Sequence, residues 1–334
     1  MGFGWEAEKA KRVPRQPGQR TWRQIARDDG LDPDMDPLAI PREKYPKLYE
    51  AVKDWAPTSD QIVIPKLRPH LPPHYGHEIL RCEVGSTLHG TGLPGHEDHD
   101  EMGIYVETKA GVLGFDTHEH YVARTAPEGQ RSQPTDTDLT MYGLRKWSRL
   151  AHSGNPSVLL LLYAPDDKVM FCDAAGAEVR HNANLFASKR AGTAFLGYME
   201  QQRQRMVGQR GRAGRVRVMP DGGVDWKYAM HMLRLGYQGR EYLRYGTLTV
   251  PVPGTLGDHL RAVRRGELPF SEVISEAEGL EADVQQLLVT SELPPEPNTA
   301  AIERLLIDLH DQVWAPSPMM RRTGWRAYGG TFSS

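Results

Sequence analysis

The chain has 334 residues and a formal net charge of −2, so the whole molecule does not attract nucleic acid and any such contact needs a local basic patch. Two cysteines, Cys82 and Cys172, exclude a disulfide framework and a cysteine-based zinc cluster, and no apolar run reaches membrane-spanning length. A hydrophobic content of 39% is adequate for a core, and a polar, Arg-rich N-terminus with neither a signal-peptide pattern nor a myristoylation site fits a cytoplasmic setting.

Residues 1–74 read as an N-terminal extension. "AEKAKRVPRQPGQR" is basic and poor in apolar residues. "TWRQIARDDGLDPD" follows as a short helix, with Thr21 as N-cap, Trp22, Ile25 and Ala26 on one face and Gly30 as the stop. "YPKLYEAVKDWA" gives another, with Tyr45, Leu48, Val52 and Trp55 at helical spacing. The first resembles the opening of a helix-turn-helix but has no recognition helix after it. Residues 75–182 form an α/β segment. "HEILRCEVGS" runs into a Gly-Ser turn, "EMGIYVE" and "EHYVAR" are strands, and "TDLTMYGL" begins extended and passes into the helix "LRKWSRLAHSG". "NPSVLLLLYAP" could be a strand, but Asn155 as N-cap and Pro156 in the first turn favour a short buried helix. Residues 183–314 are helical. "LFASKRAGTAFLGYMEQQRQRMV" places Phe186, Phe195, Tyr198 and Met199 inward, "DWKYAMHMLRLGYQGREYLRYG" reads as a second long helix pair, and two further helical stretches end at Trp314. Residues 315–334 read as a loose tail.

The stretch "VGSTLHGTGLPGHEDHDEMGIYVE" carries the chemistry. Eleven residues separate Gly85-Ser86 from Asp98-His99-Asp100. On a strand, Asp98 and Asp100 point the same way. Two carboxylates so placed repel each other unless a cation lies between them, and hard oxygen ligands suit Mg²⁺ or Mn²⁺. The Gly-Ser turn offers backbone amides and a hydroxyl without bulk, as phosphate binding requires. Phosphate binding beside divalent-metal ligands points to phosphoryl or nucleotidyl transfer. A third carboxylate is expected at Asp138 in "TDTDLTMY", with Asp136 as the alternative; either could instead cap the following helix.

With these residues the chain resembles the DNA polymerase β–type nucleotidyltransferase superfamily. The blocks "LRKWSRLAHSGNPSVLLLLYAP", "LFASKRAGTAFLGYMEQQ", "KYAMHMLRLGYQGREYLRYGTLTVPVP" and "LRAVRRGEL" are similar, in order, to predicted nucleotidyltransferases of the RNA-repair, RNA ligase–associated type, which also occur in bacteriophages. The resemblance covers about residues 78–290. It implies an α+β fold, a polymerase β–like mixed sheet with flanking helices followed by a helical half. It implies a metal-dependent enzyme that moves a nucleoside monophosphate from an NTP to a hydroxyl, with RNA such as a tRNA end as first-choice acceptor. Asp98, Asp100 and Asp138 would be the metal ligands and catalytic carboxylates. Gly85 and Ser86 would hold the triphosphate, and Ser188, Lys189, Lys227, His231 and Arg234 would complete the nucleotide site. The chain departs from the pattern in having "GHE" before the D-x-D pair and Leu160 where a carboxylate is common.

"RQRMVGQRGRAGRVRVMPDGG" is a Gly-interrupted arginine loop. Its Arg210, Arg212 and Arg215 are candidates for sequence-blind, salt-sensitive RNA contact; a solvated loop is the plain alternative. Nucleotidylation of a protein or small molecule, and a non-catalytic nucleic-acid-binding protein on the same scaffold, are the competing functions. An HD-type phosphohydrolase built on His99-Asp100 would need that dipeptide on a helix, which the surrounding glycines and β-rich "GIYVE" disfavour.

Overall fold

The computed structural model describes residues 69–93, 99–126, 136–208 and 223–315. All of them lie in the unit Pro65–Ser334, into which the chain divides after Ile64. The helices expected near residues 21–30 and 45–55, the tail beyond Ala315 and residues 209–222 of the arginine loop fall outside the described residues, whereas Arg203 and Arg205 at the start of that stretch are helical.

β1 (Gly76–Glu83) leads through the short helix α1 (Gly85–His89) to β2 (His99–Glu107). Helix α2 (Lys109–Leu113), β3 (His120–Arg124) and β4 (Thr137–Gly143) follow. α3 (Leu144–His152) and α4 (Pro156–Tyr163) precede β5 (Val169–Cys172) and α5 (Ala174–His181). The sheet order is β3-β4-β2-β1-β5. β2 and β4 run parallel, and the other pairs antiparallel. The short β5 and α5 carry too little periodicity to read from sequence. The expected strands at "EMGIYVE" and "EHYVAR" form, as does the buried helix at "NPSVLLLLYAP". There the Asn155 side chain accepts from the Ser157 N–H at 3.0 Å, and Pro156 opens the first turn.

The helical half comprises α6 (Lys189–Met206), α7 (Trp226–Tyr245), α8 (Gly254–Arg265), α9 (Phe270–Thr290) and α10 (Thr299–Trp314). Two expectations change. Phe186 lies in a separate 3₁₀ turn, and the long helix starts only after Ser188. The "DWKY" block is one continuous helix, not a pair. Its internal Gly236 and Gly239 serve close packing. A Cβ at Gly236 would sit 2.8 Å from Met199 Cε, and one at Gly239 would sit 2.9 Å from Phe195 Cβ. The loss of local helix propensity is offset by the approach of α6 and α9 that bare backbone permits.

One sheet face and these helices share a continuous core that includes Ile104, Trp147, Leu159, Phe186, Phe195 and Tyr242. The opposite sheet face carries a small cluster, Tyr105, Leu139 and Met141, covered by Leu71, Tyr75 and Tyr121. α10 is fastened to the end of β2. Trp314 Nε1 donates to the Glu107 carbonyl at 2.8 Å, His310 Nε2 meets Glu107 Oε2 at 3.2 Å, and His310 Nδ1 meets the Leu306 carbonyl at 2.7 Å. Both ring nitrogens therefore face acceptors, which favours the imidazolium. Burial opposes that charge, but the Glu107 carboxylate and the Leu306 carbonyl outweigh it and raise the pKa of His310. A raised folded-state pKa contributes stability that is full below the unfolded value of about 6.5 and is lost as pH rises through the folded value. The Tm is expected to fall as pH rises above about 6.5, and His310→Gln to flatten that slope. An unchanged slope in a pH series of melts would rule out this latch as its source.

Candidate active site

The site lies where β1, α1, β2 and β4 meet. β1 and β2 are joined at this end by the Val84 N–H, which donates to the Asp100 carbonyl at 2.8 Å. Gly85 then turns the chain into α1 with φ of +69°, and a Cβ placed on it would lie 2.3 Å from Asp100 Oδ2. The left-handed backbone and the adjacent carboxylate both demand glycine. This close approach explains the spacing in the motif: the residues between return the chain so that Asp100 lies against the Gly-Ser turn. Ser86 is half-buried, and its carbonyl accepts from the Thr91 N–H at 3.0 Å, closing the turn after α1.

Asp100 and Asp138 are direct partners in the parallel β2–β4 register. Residues level on neighbouring strands project to the same face, and such strands lie about 4.8 Å apart. Two half-buried carboxylates thus share one face beside Gly85. Asp138 Oδ1 also accepts from Arg124 Nε at 3.0 Å, across the β3–β4 pair. Asp136, the alternative third carboxylate, is buried and accepts from Thr125 Oγ1 at 3.0 Å. Thr125 Oγ1 in turn accepts from the Thr137 N–H at 2.8 Å, so Asp136 helps fix the start of β4. Hard oxygen donors on one face suit a divalent cation. Among the described residues no set of three His, Cys, Asp or Glu converges on one point. Asp98 lies just outside those residues, so Asp100 and Asp138 fit as part of such a donor set.

The helical half closes over the other end of α1. The His89 carbonyl accepts from the Val252 N–H at 3.2 Å, Arg261 Nη1 donates to the Gly90 carbonyl, and Arg264 Nη1 donates to the Thr91 carbonyl at 2.7 Å. Arg234 Nη1 reaches His89 Nε2 at 2.7 Å and Gln238 Oε1 at 2.9 Å. Burial, then the charges of Arg234 and His231, hold the pKa of His89 well below its ordinary value. The ring is therefore neutral, with Nε2 accepting and the proton on Nδ1. His231 is also held well below its ordinary value, first by burial and then by Arg234, Lys227, Arg264 and Arg205. Four cations from three helices surround that ring.

Of the residues singled out in the sequence, Gly85, Ser86, Asp100 and Asp138 are thus brought together. Lys227, His231 and Arg234 share one stretch of α7, as their spacing predicts. Lys227 is exposed on the first turn, where Asp225 caps the helix by accepting from its N–H at 3.1 Å. Ser188 and Lys189 make their contacts elsewhere. Ser188 is fully buried at the N-cap of α6 with no hydrogen bond to its hydroxyl. Lys189 Nζ donates to the Val289 carbonyl at 3.1 Å, and its N–H to the Pro294 carbonyl at 2.8 Å, which ties α6 to the end of α9. Asp98, Arg210, Arg212 and Arg215 lie outside the described residues. Sequence reasoning missed His89, Gln238, Arg261 and Arg264. For His89, the signal was its place four residues after Gly85 on a helix.

Comparison with known proteins gives the family. Residues 66–302 match the model of the RNA repair pathway DNA polymerase beta family, RlaP. An uncharacterized 38.9 kDa protein of Enterobacteria phage T4, from the nrdC-mobD intergenic region, is 25% identical over 126 residues, 37% of this chain. The match spans only 37% of the length of that phage protein. A nucleotidyltransferase-like protein from Exiguobacterium sibiricum aligns over 75% of this chain and 77% of its own, at 12% identity and a TM-score of 0.24. At that score the alignment carries no argument. The family match covers most of the chain, including the sheet, the Gly-Ser turn, both carboxylate strands and α6 to α9, and on that ground the chain belongs to the RNA repair pathway DNA polymerase beta family, within the polymerase β–type nucleotidyltransferases.

Proposed function

We propose that the protein transfers a nucleoside monophosphate from an NTP to a hydroxyl of RNA, such as a tRNA end, and releases pyrophosphate. The observation that carries this reading is the register pairing of Asp100 with Asp138 on one sheet face, with Gly85 pressed against the Asp100 carboxylate. In this scheme Asp98, Asp100 and Asp138 would hold Mg²⁺ or Mn²⁺, which supplies charge neutralisation at the phosphates and a more acidic acceptor hydroxyl. Gly85 and Ser86 hold the triphosphate through backbone N–H groups and the Ser86 hydroxyl. Lys227, with Arg205 beside the neutral His231, compensates the polyphosphate charge. The acceptor oxygen forms the new bond to the α-phosphorus as the bond to the bridging oxygen of pyrophosphate breaks. Asp138 takes the hydroxyl proton.

The RNA acceptor is supported by the family description and by the arginines of residues 209–222, which would grip a phosphate backbone without reading bases. Incubation of the full chain with each α-³²P-labelled NTP, Mg²⁺ or Mn²⁺ and total tRNA tests the reading, with an Asp98→Ala/Asp100→Ala double variant alongside. Label on RNA from the native chain alone is the expected result and names the nucleotide. Label on the protein itself would replace RNA by a protein acceptor. No transfer and no metal-dependent NTP binding would leave a non-catalytic scaffold.

A further inference from the structure

Arg234 raises a question that nucleotide binding at Gly85–Ser86 does not answer. Its guanidinium is partly buried, and desolvation alone pulls its pKa down to about 10. Its hydrogen-bond partners, His89 and Gln238, are both neutral, and no carboxylate among the described residues pairs with it. A cation drawn partly out of water without a counter-charge is a ready partner for an anion. Its neighbours repeat the pattern. His89 and Gln238 are 3% and 4% exposed, and each has a buried nitrogen with no hydrogen-bond partner, His89 Nδ1 and Gln238 Nε2. Since His89 Nε2 accepts from Arg234, its Nδ1 is a donor, and so is an amide Nε2. Three adjacent groups therefore present donors and share one deficiency, an acceptor.

The same region is hollow. A cavity of about 180 Å³ lies between α7 and the 249–260 segment, and its lining includes Arg234, Gln238, Arg240, Glu241, Arg244 and Thr249. The Arg240 guanidinium pairs with Asp283 at 3.0 Å; the Glu241 carboxylate accepts from the Thr249 N–H at 3.1 Å, a neutral donor that leaves one negative charge on the lining. Arg234 and the exposed Arg244 are the lining cations with no ion pair among the described residues. A space of this size holds several waters and admits a phosphate group. Guanidinium groups bind phosphate oxygens in bidentate pairs and satisfy charge and geometry together.

We infer that the cavity between α7 and α8 is a second anion site, which takes a phosphate monoester on Arg234, Gln238 and Arg244. Its lining shares no residue with the carboxylate site, and the two are linked mechanically, because the Arg234 that would receive the phosphate also holds His89, the last residue of α1. The phosphate belongs to a small free ligand or to the phosphorylated end of an oligonucleotide.

Thermal unfolding of the full chain in low-salt, phosphate-free buffer, with inorganic phosphate titrated in, tests the site. The expected Tm rise is about 5 °C at a hundredfold excess over Kd, and acetate at equal ionic strength gives none. Lys227→Ala and Ser86→Ala keep the rise. Arg234→Met abolishes it, and its phosphate-free Tm equals or exceeds that of the native chain because an uncompensated cation is gone. Arg244→Ala, a surface change that leaves the core intact, weakens phosphate binding at least tenfold and carries the test if Arg234→Met does not fold. A rise that survives Arg244→Ala but vanishes in Lys227→Ala would move the anion to the Gly85–Ser86 site and overturn the inference. Absence of any phosphate-specific rise would overturn it as well. Oligoribonucleotides with and without a 5′-phosphate identify the source. A larger shift from the phosphorylated strand than from free phosphate assigns the site to an RNA end, and equal shifts assign it to a small phosphate.

Discussion

Asp100→Ala is expected to reduce nucleotidyl transfer by about a thousandfold or more, with the folded structure retained. Asp100 and Asp138 are level on adjacent parallel strands, so each loses its counterpart when the other is removed. A cation held by one carboxylate in place of two is bound more weakly and is no longer fixed relative to the phosphates. The protein should not lose stability in exchange. Arg124 beside Asp138 already offsets part of the repulsion between the two carboxylates, so the Tm in metal-free buffer should change little. The same rate loss is expected for Asp98→Ala and for Asp138→Asn, the latter because it also removes the proton acceptor. Single-turnover transfer of labelled nucleotide, with circular dichroism of each variant, checks this. Turnover near that of the native chain in Asp100→Ala would remove the carboxylate pair from the mechanism.

Gly85→Ala is expected to lower the rate about a hundredfold or more, since displacement of a catalytic group by about 1 Å has effects of that size. Two constraints act on the same atom. The residue sits at φ of +69°, where a side chain is strained, and its Cβ would fall 2.3 Å from Asp100 Oδ2. The backbone strain costs about 1–3 kcal/mol, and the overlap is relieved only by turning the Asp100 carboxylate away from its place opposite Asp138. Stability and activity should therefore fall together, with activity falling far more than the stability loss explains. Stability measured by denaturant unfolding, against rate measured in native conditions, separates the two. An active but destabilised Gly85→Ala would show that the glycine serves only the turn.

Much of this site is legible in local sequence because its logic has a short period. Alternation along "DHDEMGIYVE" predicts the β2 strand and the direction of its carboxylates, and Asn155-Pro156 predicts a helix start from capping chemistry alone. The spacing of Lys227, His231 and Arg234 places them on one stretch of helix because 3.6-residue periodicity is a property of the backbone. Ser188 and Lys189 resemble nucleotide-binding residues by position, yet their contacts are with the segment that follows α9. A four-residue strand such as β5 is too short to carry a pattern, and its pairing with β1 defines it.

The sequence by itself determined the residue types and their local geometry: a Gly-Ser turn, aspartates on a strand, a buried helix after Asn155 and cations along α7. Only the tertiary structure decided which carboxylate faces Asp100, because the β2–β4 register joins residues 38 positions apart in the numbering. It also decided that Arg234 meets His89 across 145 residues of chain, leaving a cation with no acid partner among the described residues and two buried donors without acceptors. Periodicity acts over a few residues, whereas charge compensation depends on what burial brings within about 3 Å; a basic residue in a helix carries no mark of whether an acid will reach it.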